Sequence, residues 1–449
     1  MGFTISRLSR PFSALEFILE ESTLKVECIV NSKPELLLPA GDPEKMRYAV
    51  AYGADAVYLG LPMASLRTPS KGPQFKPENL EEHIRYCQTR GVKAYVTLNI
   101  FAGNRDIDRM IPHLEQLDSI RPDALILSDP GVFRIAQKHA PNVPIHISTQ
   151  ANTLNVSACA FWQDLGAERV ILAREVPVRE MAEIHEALPD LQLECFVHGS
   201  LCVAYSGRCV ISDYLTDNTK NSNKGMCGNS CRWEFQVVEK NRPDEVYTFE
   251  EDEKGSYMLN SKDLCLVRHL PKLGAAGICS YKVEGRTKGV HYVATVGRVY
   301  REAIDAFASD TMPSIEQMAR WEAELDESGN RGFTEGFLNG KPTNQAYHYE
   351  NSQNQATATF VAGTDGEMDA NGRLKIQGRN QFQLSDELVW MTPAGIVPIK
   401  IQSAWDEQGF DVTLVQPNQW VWVEPPLGIS AENLRWSLIR RPEGACLVA

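Results

Sequence analysis

The chain has 449 residues, 43% of them hydrophobic, and a formal net charge of -13. That length and apolar content allow a large core and two or three domains, while no run approaches the roughly 18 consecutive apolar residues of a membrane helix. The acidic balance argues against nonspecific nucleic-acid binding, which draws its free energy from phosphate neutralisation, and leaves any RNA recognition to local basic groups.

Residues 1–33 carry Arg7 and Arg10 ahead of an apolar stretch, but Glu16, Glu20 and Glu21 break any signal-peptide core, so this segment is read as an extension outside the fold. Eleven cysteines without a secretion signal point to the reducing cytoplasm. From residue 34 onward, short β-branched runs alternate with amphipathic stretches. Strands are expected at 35–38, 56–59, 93–98, 124–127, 145–148, 169–173, 192–197 and 280–283. Helices are expected between them, including 261–273 before the last strand and 290–308 after it. Eight βα units predict a closed, TIM-like (β/α)8 barrel over 34–310. An open dinucleotide-binding sheet is disfavoured because no G-x-G-x-x-G follows any strand.

A barrel of this kind carries its chemistry at the C-terminal ends of its strands. Those positions hold Asn99, Ser128, Asp129, His146, Ser148, Gln150, Asn152, Arg174, Glu175, His198, Lys282, Glu284 and Arg286. Asp129 before Pro130 also reads as a helix N-cap with proline at the first helical position. Acidic and basic groups gathered at one rim are the composition of a site with tuned protonation states.

After the seventh strand comes a polar loop rich in Gly, Asn and Ser, with Cys202, Cys209, Cys227 and Cys231 at C-x6-C-x17-C-x3-C. Such a loop has no hydrophobic period and needs a staple; in a reducing compartment four thiolates point to zinc or an iron-sulfur cluster rather than disulfides. The spacing matches neither a short zinc knuckle nor the familiar ferredoxins, and Cys195 or Cys265 is an alternative to one of the four. Beyond the barrel, 311–355 reads as a helix over 313–325 followed by a polar linker. Residues 356–449 show short alternating runs at 357–361, 374–376, 388–391, 397–401, 412–415 and 420–423, the pattern of a small C-terminal all-β barrel domain. Trp420 and Trp422 share one strand face and are expected in its core or on a partner surface.

The run Glu194-x-Phe196-x-x-Gly199-Ser200-Leu201-Cys202, followed by Gly207, Cys209 and Ser212, resembles the signature of the collagenase-like peptidase family. The runs at 281–288, 331–338 and 35–41 also resemble family segments, so that the likeness covers about residues 34–449. Among RNA-modifying members of that family, the resemblance implies O2-independent hydroxylation of the tRNA wobble uridine to 5-hydroxyuridine. It further implies prephenate as a co-substrate and an iron-sulfur cluster, of the 4Fe-4S type, on Cys202, Cys209, Cys227 and Cys231. Under that reading His198, Glu284 and Lys282 are the candidate catalytic groups. Arg174 and Arg286 are the candidates for binding the dicarboxylate, since guanidinium matches carboxylate bidentately. The expected partners are tRNA and prephenate, with no membrane, the chain being a monomer or a loose homo-oligomer.

Two other readings compete. A cysteine peptidase needs a thiolate beside an oriented histidine, and His198 four residues before Cys202 is the available pair, but three further cysteines then go unexplained. A zinc peptidase lacks H-E-x-x-H. A noncatalytic RNA-binding protein stapled by zinc leaves the polar rim without a use.

Overall fold

The structure is a computed structural model, described here for residues 33–61, 65, 74–202, 204–216, 222–224, 227–232, 251–252, 255–256, 261–309, 312–342, 346 and 355–443. The expected N-terminal extension and most of the linker lie outside the described residues.

The barrel opens with β1 (Glu35–Pro39), α1 (Pro43–Ala51), β2 (Ala56–Gly60), α2 (Leu80–Gln88), β3 (Lys93–Leu98) and α3 (Asn104–Ile120). It continues with β4 (Ala124–Leu127), α4 (Pro130–His139), β5 (Ile145–Ile147), α5 (Val156–Asp164), β6 (Arg169–Ile171), α6 (Val178–Ala187) and β7 (Gln192–Ser200). After the cysteine loop, which carries the short α7 (Ile211–Leu215), come β8 (Asp263–Cys265), α8 (Leu270–Ala275), β9 (Ile278–Val283) and α9 (Val290–Phe307). Parallel pairing runs from β1 through β7, then from β7 to β9 and from β9 back to β1, where Glu35 faces Ser280, and the eight-stranded ring closes. The expected start of α4 is realised: Asp129 accepts from the Val132 amide at 3.0 Å, with Pro130 in the first turn.

One expected element is different. The stretch 261–273 is not one helix: β8 runs antiparallel to the end of β7, with Asp263 opposite Ser200 and Cys265 opposite His198, and only Leu270–Ala275 is α-helical. Burial decides it. Asp263 is sealed inside and ion-paired with Arg331, so the first turn of the expected helix is taken into the sheet instead.

Beyond α10 (Ile315–Asp326) and β10 (Phe333–Thr334), seven strands form an antiparallel sheet, and the short strands Phe382–Gln383 and Leu414–Val415 pair separately beside it. The seven are β11 (Ala358–Gly363), β12 (Leu374–Gly378), β13 (Leu388–Thr392), β14 (Gly395–Ile399), β15 (Ala404–Trp405), β16 (Trp420–Val423) and β17 (Leu438–Pro442). On β16, Val421 and Val423 enter the core, while Trp420 and Trp422 stand half-exposed on the other face with the Lys375 ammonium 5.2 and 5.5 Å from their rings. This sheet is joined to the barrel by a buried cluster in which Tyr48, Tyr52, Val290 and Ala294 meet Met391 and Leu438. Tyr52 donates to the Met391 carbonyl at 3.0 Å within it. No described helix is long and apolar enough to cross a membrane.

Candidate active site at the barrel mouth

The barrel interior is not filled only with branched apolar side chains. Strand alternation sends Glu35, Tyr95, Arg169, Glu194, Ser280 and Lys282 inward, where they form one network. Arg169 Nη1 donates to Glu35 Oε1 at 2.7 Å and to Glu194 Oε2 at 3.0 Å. Lys282 Nζ donates to Glu194 Oε1 at 2.8 Å, and Tyr95 donates its hydroxyl to Glu35 at 2.7 Å. Two carboxylates and two buried cations thereby offset one another, with the exposed Lys93 adding a third cation at 3.2 Å from Glu35, which is what makes their burial tolerable. Burial alone would raise the Glu35 carboxyl, but the Arg169 guanidinium and the Tyr95 hydroxyl outweigh it and hold that carboxyl below its ordinary value. His146, beside Tyr95 at 4.9 Å, is driven well below the ordinary imidazole value by burial and by the positive charge of Arg169 and Lys282.

Above this layer lies a small pocket at the C-terminal ends of the strands, lined among others by Tyr58, Asn99, Gln150, Phe196, Lys282, Glu284 and Arg286. The Phe196 ring lies between two cations, with the Arg174 guanidinium 4.0 Å and the Lys282 ammonium 5.6 Å from its centroid. Arg174 Nη2 is 3.7 Å from Glu284 Oε2. Arg286 Nη1 donates to the Ser65 and Thr97 hydroxyls at 2.6 and 3.0 Å. Asn99 reaches Gln150 at 3.3 Å across the opposite wall. Gly199, at φ +103°, lets the two strand ends close here: a Cβ on it would stand 2.4 Å from the Glu284 carbonyl.

Of the residues singled out from sequence, Lys282, Glu284, Arg286 and Arg174 come together at this pocket. His198 does not. The β7–β9 register slips, so that Phe196 faces Lys282 but His198 faces Val283, and one extra residue on β7 makes a bulge at Val197. The bulge turns His198 out of the lumen. Its ring packs 5.4 Å from Tyr300, 5.5 Å from Phe333 and 5.9 Å from Tyr292, and burial pushes its pKa down to about 3. The structure thus places His198 among aromatic rings, apart from Lys282, Glu284 and Arg286 at the pocket.

The cysteine loop lies across the mouth. Arg208 Nε donates to the Gln150 carbonyl at 2.9 Å, the Ser206 amide donates to Glu175 at 2.7 Å, and the Phe101 amide donates to the Asn223 carbonyl at 3.1 Å. The loop is thus tied to the ends of β3, β5 and β6. Cys202, Cys209 and Cys231 are half-buried and Cys227 is exposed, with the Cys227 sulfur accepting from the Asn229 amide at 3.4 Å. By contrast Cys87, Cys159 and Cys265 have thiols pushed up to about 12 by burial, and Cys195 is raised likewise. Cys195 lies within β7 and Cys265 at the end of β8, outside the loop. The donor set of the loop suits a thiolate-bound metal centre in chemistry and number. Its geometry is open: among the described residues no three His, Cys, Asp or Glu side chains converge as a metal site.

Reading the sequence missed Glu35, Arg169 and Glu194 as a charge network and Tyr58 and Phe196 as pocket walls. A signal for them exists in the period-two polar residues Tyr95, Thr97 and Asn99 on and after β3 and Ser280, Lys282 and Glu284 on and after β9, in a fold whose strands are otherwise apolar.

The family model for peptidase family U32 matches residues 41–348. A protein named tRNA hydroxylation protein P from Haemophilus influenzae is 37% identical over 91% of this chain and 96% of its own length. The protein of the same name from Escherichia coli is 35% identical over 91% of this chain and 97% of its own length. A protein named Collagenase from Porphyromonas gingivalis is 32% identical over 70% of this chain and 75% of its own length. The matched residues run from just after β1 past β10 and include the cysteine loop, and the chain belongs to peptidase family U32.

Proposed function

We propose that this chain is an RNA hydroxylase acting on tRNA, converting the wobble uridine to 5-hydroxyuridine without O2, with prephenate as co-substrate. The observation that carries this reading is the near end-to-end correspondence with the tRNA hydroxylation proteins, at 91% of this chain, where the collagenase correspondence stops at 70%. The pocket supports it. Prephenate is a dicarboxylate, and buried Arg286 and half-buried Arg174 at the mouth offer charge-assisted contacts to carboxylates. Lys282 and Glu284 supply a cation and a carboxylate for binding and proton handling beside the Phe196 ring.

Cys202, Cys209, Cys227 and Cys231 are proposed to hold an iron-sulfur cluster, which would supply electron-transfer or Lewis-acid chemistry when bound. A tRNA substrate implies a cytoplasmic protein, and no oligomer is needed to complete the pocket.

The peptidase reading gains no support from the site. The pair it needs is His198 with Cys202, but the His198 ring is packed among Tyr292, Tyr300 and Phe333, and three further loop cysteines stay without a role. The test is nucleoside mass spectrometry of tRNA from a strain lacking the gene. Loss of 5-hydroxyuridine, restored by this chain, is expected; undiminished 5-hydroxyuridine overturns the reading.

A further inference from the structure

The lid over the barrel mouth carries an apolar surface facing solvent. Tyr214 is 83% exposed, Val210 74% and Tyr205 51%, within ten residues of one another and interleaved with Cys209. The run is not a loose end. Ser206 is anchored to Glu175 and Arg208 to the Gln150 carbonyl, while Ser212 accepts from the Gly228 amide at 2.8 Å. Tyr205 is therefore presented between anchors to Glu175 and to Gln150, which lines the pocket, and Tyr214 follows on the same stretch of chain.

The surroundings select the occupant. The exposed Arg208 guanidinium lies 5.3 Å from the Phe101 ring, half-exposed Lys224 pairs with Asp106 at 3.0 Å, and exposed Arg105 sits in the first turn of α3 at the same rim. Exposed aromatic rings with an arginine on the same stretch of chain fit unstacked nucleobases and their phosphates, the form in which single-stranded RNA loops are read, although Tyr205 itself has Glu175 and Glu180 near it. A chain with net charge -13 has little long-range attraction for RNA, so short-range stacking must carry more of the binding.

We propose that Tyr205 and Tyr214 of the lid are the platform on which unpaired bases flanking the target nucleotide stack while that nucleotide enters the mouth. This deepens the hydroxylase reading and rests on it. A stacked base contributes enough that Tyr214→Ala should weaken binding of a fluorescent anticodon stem-loop about ten-fold, with Tyr205→Ala similar. Tyr214→Trp should retain it, since any aromatic face serves. Arg208→Gln should weaken binding and flatten its salt dependence. Each variant is compared with wild type as full-length protein, with folding checked by thermal melting and tRNA hydroxylation followed in parallel. If Tyr214→Ala melts as wild type and binds the stem-loop equally, the platform is refuted even while wild type hydroxylates tRNA. If wild type neither binds the stem-loop nor hydroxylates tRNA, the hydroxylase reading fails and the platform with it. Weakening by Ala with retention by Trp sustains the proposal.

Discussion

Lys282 Nζ sits 2.8 Å from Glu194 Oε1, while the other carboxylate oxygen of Glu194 accepts from Arg169 at 3.0 Å. One buried carboxylate thereby joins the pocket cation to the charge network below it. Removing the charge from Glu194 leaves Lys282 and Arg169 in a dry interior with only Glu35 to balance them. Breaking a buried pair in this way costs on the order of 3–5 kcal/mol. Glu194→Gln should accordingly lower the urea midpoint of unfolding strongly, and a midpoint within error of wild type would show that the network carries no stability.

Arg286 is buried against the Ser65 and Thr97 hydroxyls at the pocket edge. A charge-assisted contact to a carboxylate contributes roughly 1.5–3 kcal/mol, so Arg286→Ala should weaken prephenate binding by about one to two decades. Lysine should rescue it only partly, having charge without the planar fork. Calorimetric titration of prephenate into folded variants measures this, and equal affinity in Arg286→Ala removes the residue from the site.

Serine at Cys202, Cys209, Cys227 or Cys231 should each abolish bound iron and labile sulfide in anaerobically purified protein, since each removes one of four thiolates. Serine at Cys159, which is fully buried outside the loop, should not. Iron and sulfide analysis decides it. Full iron content in Cys227→Ser would exclude that ligand, and stoichiometric zinc without sulfide would replace the cluster by a zinc staple.

Much of the barrel is legible in the sequence because its strands are near-continuous apolar runs, such as 124–127, separated by amphipathic helices, and a parallel sheet covered on both faces requires that pattern. Strand β17 is not legible. It ends in Arg440-Arg441-Pro442, yet it pairs with β11 and β13 near the centre of its sheet, because Arg440 is buried against Glu327 at 2.6 Å where the sheet meets the barrel. That ion pair is tertiary and leaves no periodic trace. The position of His198 is illegible for a related reason: its distance from Phe196 by two residues promises the same face, and only the bulge at Val197 breaks the promise. Glu284 and Arg286 could be placed at the mouth because they follow directly on a strand end, whereas the Arg169–Glu194 contact depends on the closure of the ring.

His291 is buried against Phe360, ring centroids 5.8 Å apart, and burial lowers its pKa to about 3, as it does for His198. An unfolded histidine takes up a proton near pH 6.5, so below that pH the unfolded chain binds more protons than the native one. Stability is full above about 6.5 and is lost as pH falls toward 3. Each such histidine contributes a slope of about 1.4 kcal/mol per pH unit within that window. Denaturant melts of His291→Phe between pH 6 and 4 should show a slope smaller by about one proton; an unchanged slope would mean that the native histidine is protonated in place.

That the chemistry takes place at the barrel mouth is tested most directly by the 5-hydroxyuridine content of tRNA in a gene-deletion strain complemented with wild type or Glu284→Gln at matched protein level and iron content. Glu284 borders the pocket and stands 3.7 Å from Arg174. Its neutralisation should cut 5-hydroxyuridine by at least about ten-fold, in line with the loss of a positioned acid-base group, while other tRNA modifications stay constant. Wild-type levels of 5-hydroxyuridine with Glu284→Gln would contradict the placement of the reaction at this pocket.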